Sequence, residues 1–297
     1  MTNNKFIHQY RGEWLTLASF LLWGLMPLYF QQLSGYQAST VFAVRVLLSA
    51  PVLLIALLLV YRNGFKRPSV SQAGWALLGA ALISTSWYGN LWGTLNGQLL
   101  AVSLAFFLSP VLTIVAGMLF FGERLSKRQW LSFYICLLAF LFYCFANGEL
   151  PWLTIMIAVA FALFSVVKRK GQVSELSGLS AEVVLMLPVS LFLLWNMEAG
   201  TSFNWSSDPW LLAIVPLYYL PLVLYGMGVR HIRQLTTAGL MTYIEPVIMY
   251  VLALTLFDEE ISPLKQMAMY MVWIGVAVSF PFGRRKAEEH TGQTSHS

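Results

Sequence analysis

The sequence predicts an all-α integral membrane protein of ten transmembrane helices arranged as two inverted five-helix repeats. Three observations carry the prediction. Hydrophobic residues make up 58% of the 297 positions and charged residues only 10%, with a mean hydropathy of +0.68. A soluble domain carries about a quarter of its residues as Asp, Glu, Lys and Arg. The apolar residues come in blocks of the length that crosses a hydrocarbon core as helix, about 20 residues. Finally, the two halves of the chain repeat one another.

In chain order the blocks are 14–33, 41–61, 74–92, 99–121, 130–147, 152–167, 180–197, 208–228, 236–257 and 264–283. The fifth and sixth are parted only by NGELP, so one long hydrophobic hairpin there would give nine spans instead. The distribution of basic residues favours ten. With ten spans the breaks at 34–40, 93–98, 148–151 and 198–208 hold no Lys or Arg. Sixteen of the eighteen basic residues then face one side. The positive-inside rule makes that side cytoplasmic and places both termini there. Nine spans would spoil the alternation.

Net charge of +5 does not point to nucleic acid, because the basic residues are divided among helix ends rather than gathered on one face. Topology and contact with anionic lipid account for them, including Lys168, Arg169 and Lys170. The first block is too long for a removable signal peptide and lacks a small-residue cleavage site. Cys136 and Cys144 lie eight residues apart on one span. That is about 12 Å of helix axis, too far for a disulfide.

Self-similarity places SPVLTIVAGMLFFGERLS (109–126) over EPVIMYVLALTLFDEEIS (245–262). At a shift of 136, Pro110 matches Pro246, Phe121 matches Phe257, Glu123 matches Glu259, Ser126 matches Ser262 and Tyr134 matches Tyr270. A shift of 137 pairs Pro51 with Pro188 and Tyr88-Gly89 with Tyr225-Gly226. The first helices align only loosely, SFLLWGL over AFALFSV. The units are 1–147 and 148–283, followed by a disordered cytoplasmic tail, 284–297. Five spans is an odd number, so the second unit enters the membrane from the opposite side. Inverted repeats of this kind recur in secondary transporters, where two halves rock about a midplane site.

The segments FLLWGLMPLYF, WYGNLWGTLN, SLAFFLSPVLTIVAGMLFFGERLS, LPWLTIMIAVAFALFSVVKRK and LTTAGLMTYIEPVIMYVLALTLFDEE resemble those of RarD-type permeases. These form part of the EamA group in the drug/metabolite transporter (DMT) superfamily. The resemblance runs over nearly the whole chain, and the SL..F..P..T...G..F.GERLS run is its most specific part. It implies an EamA/DMT-like fold with a central cavity and transport of small molecules: amino acids, other metabolites or drugs. The RarD name records a link to chloramphenicol sensitivity.

Several residues stand out within the spans. Pro246 deprives the Thr242 carbonyl of its helical partner, and Pro110 does the same to Phe106. Both prolines are expected to kink their helices around a polar centre, because an unpaired carbonyl at membrane depth must face protein or a wet cavity. Glu245 would cost roughly 2.5 kcal/mol or more against lipid and is expected to face inward. It has two readings: a proton-coupling carboxylate or counter-charge to the substrate, and a protonated carboxyl group bonded to a neighbouring helix. Arg45 is either an anchor that snorkels outward or a residue that meets a substrate carboxylate or gates the route.

The repeat partner of Arg45 is Glu182, so one matched position holds opposite charges. In the third span Gly89, Gly93 and Gly97 recur every four residues, giving a smooth face for helix packing. Trp87, Tyr88 and Asn90 are cavity candidates beside them, with Tyr243 and Trp23 weaker ones. The bland reading makes such rings interface anchors. Glu123 and Glu259, just beyond their spans, are either paired helix-end or gating contacts or solvated loop carboxylates.

An enzyme is not expected. His8, His231, His290 and His296 all lie in tails or loops, and the chain has no phosphate-binding loop and no Cys/His metal constellation. No cofactor is implied. The expected function is secondary transport of a small organic molecule, amino-acid-like or a drug, across the cytoplasmic membrane. Export is the expected direction, driven by an ion gradient, proton coupling included, or by exchange. The oligomeric state is not legible. A channel or a non-transporting membrane interaction subunit is the alternative, and saturable flux separates a carrier from both.

Overall fold

A computed structural model describes residues 10–60, 69–122, 124, 127–147, 151–171, 175–196, 208–229 and 241–279. Among these, all regular structure is helical: α1 (Arg11–Gln31), α2 (Ala38–Val60), α3 (Val70–Leu95), α4 (Leu99–Phe121), α5 (Lys127–Asn147), α6 (Trp152–Gly171), α7 (Glu175–Trp195), α8 (Pro209–Leu212), α9 (Ile214–Val229), α10 (Ile244–Thr255) and α11 (Pro263–Ser279). Ser69 and Gln72 form a reciprocal capping box that starts α3, satisfying two backbone donors that a helix end leaves open. Asp208 starts α8 by accepting the Trp210 N–H at 2.9 Å.

These helices correspond to the ten expected spans. The NGELP segment separates two helices rather than sitting within one, since α5 ends at Asn147 and α6 begins at Trp152. The eighth span is broken at Ala213 into α8 and α9. Of the ninth, residues 236–240 lie outside the described residues, and the helix proper starts at Ile244.

Among the described residues, four helices pass a strict test of length and apolar composition for crossing a membrane: Arg11–Gln31, Ala38–Leu59, Leu99–Phe121 and Lys127–Phe145. The apolar stretches in α6, α7, α8 with α9, and α10 are shorter, and α3 is diluted by the Ser, Thr, Asn and Gly residues that face its neighbours. Many large apolar side chains of the described residues are exposed. Leu58 (70% exposed), Leu119 (75%), Phe145 (79%) and Trp195 (89%) face outward, which in water would be a large apolar liability and in a bilayer is ordinary.

Helix packing follows an exchange rule. The contacts α5 with α11, α2 with α7 and α4 with α10 each join like helices of the two sequence repeats. The contact of α3 with α6 has its counterpart in α9 with α1, and that of α4 with α6 in α10 with α1. Two buried apolar clusters result. One is built on α4, α5, α6, α10 and α11, around Phe107, Ile157, Met249 and Met269. The other is built on α1, α2, α3, α7, α8 and α9, around Phe30, Phe42, Leu91, Val183 and Ile214.

The glycine stripe of α3 divides in its role. A methyl group at Gly89 would lie 2.7 Å from Ile157 Cγ1, and one at Gly93 would lie 2.6 Å from Val102 Cγ2. These two let α6 and the start of α4 come close. Gly97 is not part of that face. It lies past the end of α3 at φ +65°, with open space where a side chain would be, and turns the chain into α4.

Candidate functional site

The second cluster holds a buried cation. Arg45, on α2, is 5% exposed, and its guanidinium carbon lies 4.9 Å from the ring centre of Phe42, 4.4 Å from Trp87 and 4.5 Å from Tyr218. Phe42 is three residues earlier on the same helix face, Trp87 comes from α3 and Tyr218 from α9. The negative faces of the rings replace part of the water the cation has lost. Trp87 and Tyr218 hold each other edge to face at 5.3 Å. Arg45 therefore does not snorkel outward.

Glu182 of α7, 4% exposed, lines the same small cavity as Arg45, together with Ile83, Ser84, Trp87 and Tyr219. The space measures about 10 Å³, the size of one water. Room for the carboxylate is left by Gly79, where an added methyl would come within 3.2 Å of Glu182 Oε1. The two charges paired at a shift of 137 in the sequence thus meet at one cavity.

A second, open cavity of about 410 Å³ is lined by the connection from α1 to α2 and the last turns of α3, including Ser34, Tyr36, Gln37, Tyr88, Trp92 and Asn96. Tyr88 meets Phe42 edge to face at 5.7 Å, and Phe42 meets Arg45. A chain of rings therefore leads from the open cavity to the buried cation.

The remaining sequence candidates are dispersed. Asn90 accepts the Thr94 hydroxyl on its backbone oxygen at 2.9 Å and lines neither of these cavities. Trp23 packs with Phe20 and Tyr225 at 5.4 and 5.8 Å. Tyr243 stacks on Phe107 at 6.3 Å, within the other cluster. Glu245 is half-buried in the first turn of α10, where the helix N-terminus favours a negative charge. It lies within electrostatic reach of Tyr218, which Arg45 also touches.

Pro246 also falls in the first turn of α10, and the chain turns at Thr242 and Tyr243, just upstream. There the missing N–H belongs to a group the helix leaves unbonded in any case. The Pro246 carbonyl accepts the Ser103 hydroxyl at 2.8 Å, joining α10 to α4. Helix α4 runs through position 110, and the Pro110 side chain lies outside what is described.

Sequence reasoning passed over Phe42, Tyr218 and Tyr219 and noted Glu182 only as a repeat partner. The Tyr pair in LYYLP was the available signal, but nothing in it separates cavity rings from interface rings.

Glu259 corrects the solvated reading. Its two carboxylate oxygens accept the backbone N–H groups of Leu99 and Leu100, the latter at 2.9 Å, and so cap α4 from the connection between α10 and α11. Its repeat partner Glu123 lies outside the described residues. Burial raises the Glu259 pKa above the ordinary carboxylate value, and the two amide hydrogen bonds pull it part of the way back. The folded protein thus holds this proton more tightly than the unfolded chain. The stability the group contributes is full below the unfolded value and is lost as pH rises through the folded one. Thermal unfolding followed against pH should decline across that window in the wild type and be flatter in Glu259→Gln; equal slopes would refute this.

The EamA-like transporter family profile matches residues 10–145. An uncharacterized transporter of Pseudomonas aeruginosa is 30% identical over 276 residues, 90% of this chain and 92% of that protein. The protein RarD of Streptomyces exfoliatus is 31% identical over 265 residues, 86% of this chain and 84% of its own length. The RarD protein of Escherichia coli K12 is 27% identical over 277 residues, 90% of this chain and 93% of its own. A solved crystal structure, 17% identical, aligns with 95% of this chain and 99% of its own at a TM-score of 0.58, a likeness of fold.

Proposed function

This chain belongs to the EamA-like transporter family as a RarD-type member, a multi-pass membrane protein of the drug/metabolite transporter superfamily, and on that premise we propose that it is a secondary carrier exporting small organic molecules across the cytoplasmic membrane. Units 1–147 and 148–283 are the two halves that rock, and both termini lie in the cytoplasm. An ion gradient or exchange drives the cycle. The observation that carries this reading is the exchange pattern of helix contacts, with Arg45 and Glu182 on two like helices, α2 and α7, that pack on each other and line one cavity. A carrier of inverted halves needs a site that both halves build.

In this reading the open cavity beside Tyr36, Tyr88 and Asn96 is the mouth on the side poor in basic residues, and the Arg45 cage is the inner site. Glu245, within electrostatic reach of Tyr218, is the coupling carboxylate. The test is saturable flux in proteoliposomes under an imposed pH gradient, with amino acids, amines and amphenicols as cargo. Flux that never saturates would indicate a channel. Glu245→Gln is expected to weaken or uncouple transport while leaving folding intact; wild-type flux with unchanged pH dependence would remove it from the mechanism.

A further inference from the structure

Positions 45 and 182 are the same place in the two repeats, and their helices, α2 and α7, pack on each other. The Arg45 guanidinium has three rings within 5 Å, at 4.9, 4.4 and 4.5 Å. Tyr218 is also hydrogen-bonded to the guanidinium, and the remaining N–H donors, which lie in its plane, are the part available to the cavity that Glu182 also lines. Tyr219 is within electrostatic reach of both charges. From α6, Lys168 carries its ammonium 5.4 Å from the Phe164 ring, and Phe164 borders the same gap at Gly79. Opposite charges at such depth attract strongly, and either one isolated would be costly. A space of about 10 Å³ admits nothing larger than a water, so cargo entering it must separate the charges.

We propose that Glu182 is the internal counter-ion of Arg45, and that the cargo carries a carboxylate that takes the place of Glu182 on the guanidinium. This rests on the carrier reading above. A planar, two-oxygen acceptor matches the fork of arginine donors. A neutral group of the same shape supplies no charge for the exposed cation.

The experiment is thermal unfolding of the detergent-purified full chain, titrated with benzoate, phenylacetate and pyruvate, each beside its neutral amide. A ligand of the native state raises apparent stability by mass action. At least one carboxylate is expected to stabilise the wild type where its amide does not. Glu182→Gln, which removes the competitor, is expected to tighten that binding about tenfold, about 1.4 kcal/mol, and Arg45→Gln to abolish it. An equal response to the amide, a response surviving Arg45→Gln, or no carboxylate response in the wild type overturns the proposal.

Should Arg45→Gln not fold, the exchange of Arg45→Glu with Glu182→Arg is expected to recover folded protein that each single reversal loses. Failure of that recovery, or loss of Glu182 function reproduced by Lys168→Gln instead, overturns the pairing. The two readings fail separately. Saturable flux of a neutral amphenicol, insensitive to every carboxylate, would keep the carrier and sink this inference. Carboxylate binding without any flux would sink the carrier alone.

Discussion

Arg45→Lys will lower saturable flux at least tenfold, about 1.4 kcal/mol in transition-state terms, although it keeps the charge and most of the length of the side chain. The reason is shape. Three rings surround a flat, delocalised cation. A lysine ammonium is a compact, strongly hydrated point charge that neither stacks on rings nor offers a planar fork of donors. Lysine keeps some attraction to the rings, but its more strongly hydrated ammonium costs more to strip of water, so the variant should also unfold at lower temperature. Initial rates in proteoliposomes and unfolding in detergent, measured together, separate the two effects. Wild-type flux in Arg45→Lys would reduce the residue to a buried positive charge with no positioning role.

Gly228→Ala will destabilise the folded protein by roughly 1–3 kcal/mol, the range of overpacked cores. At this position on α9 an added methyl would lie 2.7 Å from the Thr16 backbone nitrogen and 2.9 Å from the Gly12 backbone oxygen, and closer still to the Thr16 hydroxyl. Backbone atoms of α1 cannot rotate away, so the helices must part. Gly74→Ala on α3 is the matched control, because nothing lies within 4 Å of its added methyl. There the better helix propensity of alanine should leave stability unchanged or raise it by up to about 1 kcal/mol. Thermal unfolding of both variants decides. Equal behaviour would mean that α1 and α9 have slack between them.

Three features show where sequence and tertiary structure divide the work. The glycines at 89 and 93 were legible as a packing face because a period of four residues places them on one side of any helix. Gly97 continued the period on paper, yet it sits beyond the helix end, where local hydrogen bonding turns the chain. Glu259 is similar. Sequence placed it outside the membrane, but its capping of α4 joins residues about 160 apart in the chain, which no local pattern records. Arg45 was legible as an anomaly, a charge in an apolar block. Its cage was not, because Phe42, Trp87 and Tyr218 lie on three helices that converge only after packing.

By itself the sequence determined the membrane environment, the number of spans, the doubled arrangement and the family. These follow from quantities written along the chain: block length set by bilayer thickness, basic residues sorted between loops, and motifs repeated at one spacing. The tertiary structure alone decided which side chains share a space. It brought Glu182 rather than Glu245 to the cavity of Arg45, set Trp23, Asn90 and Tyr243 elsewhere, and started α10 two residues before Pro246, which puts the proline in the first turn. The physical reason is that the rotation of each helix about its axis is fixed by close packing against several neighbours at once, and an apolar span, greasy on every face, carries little periodic signal of which face turns inward.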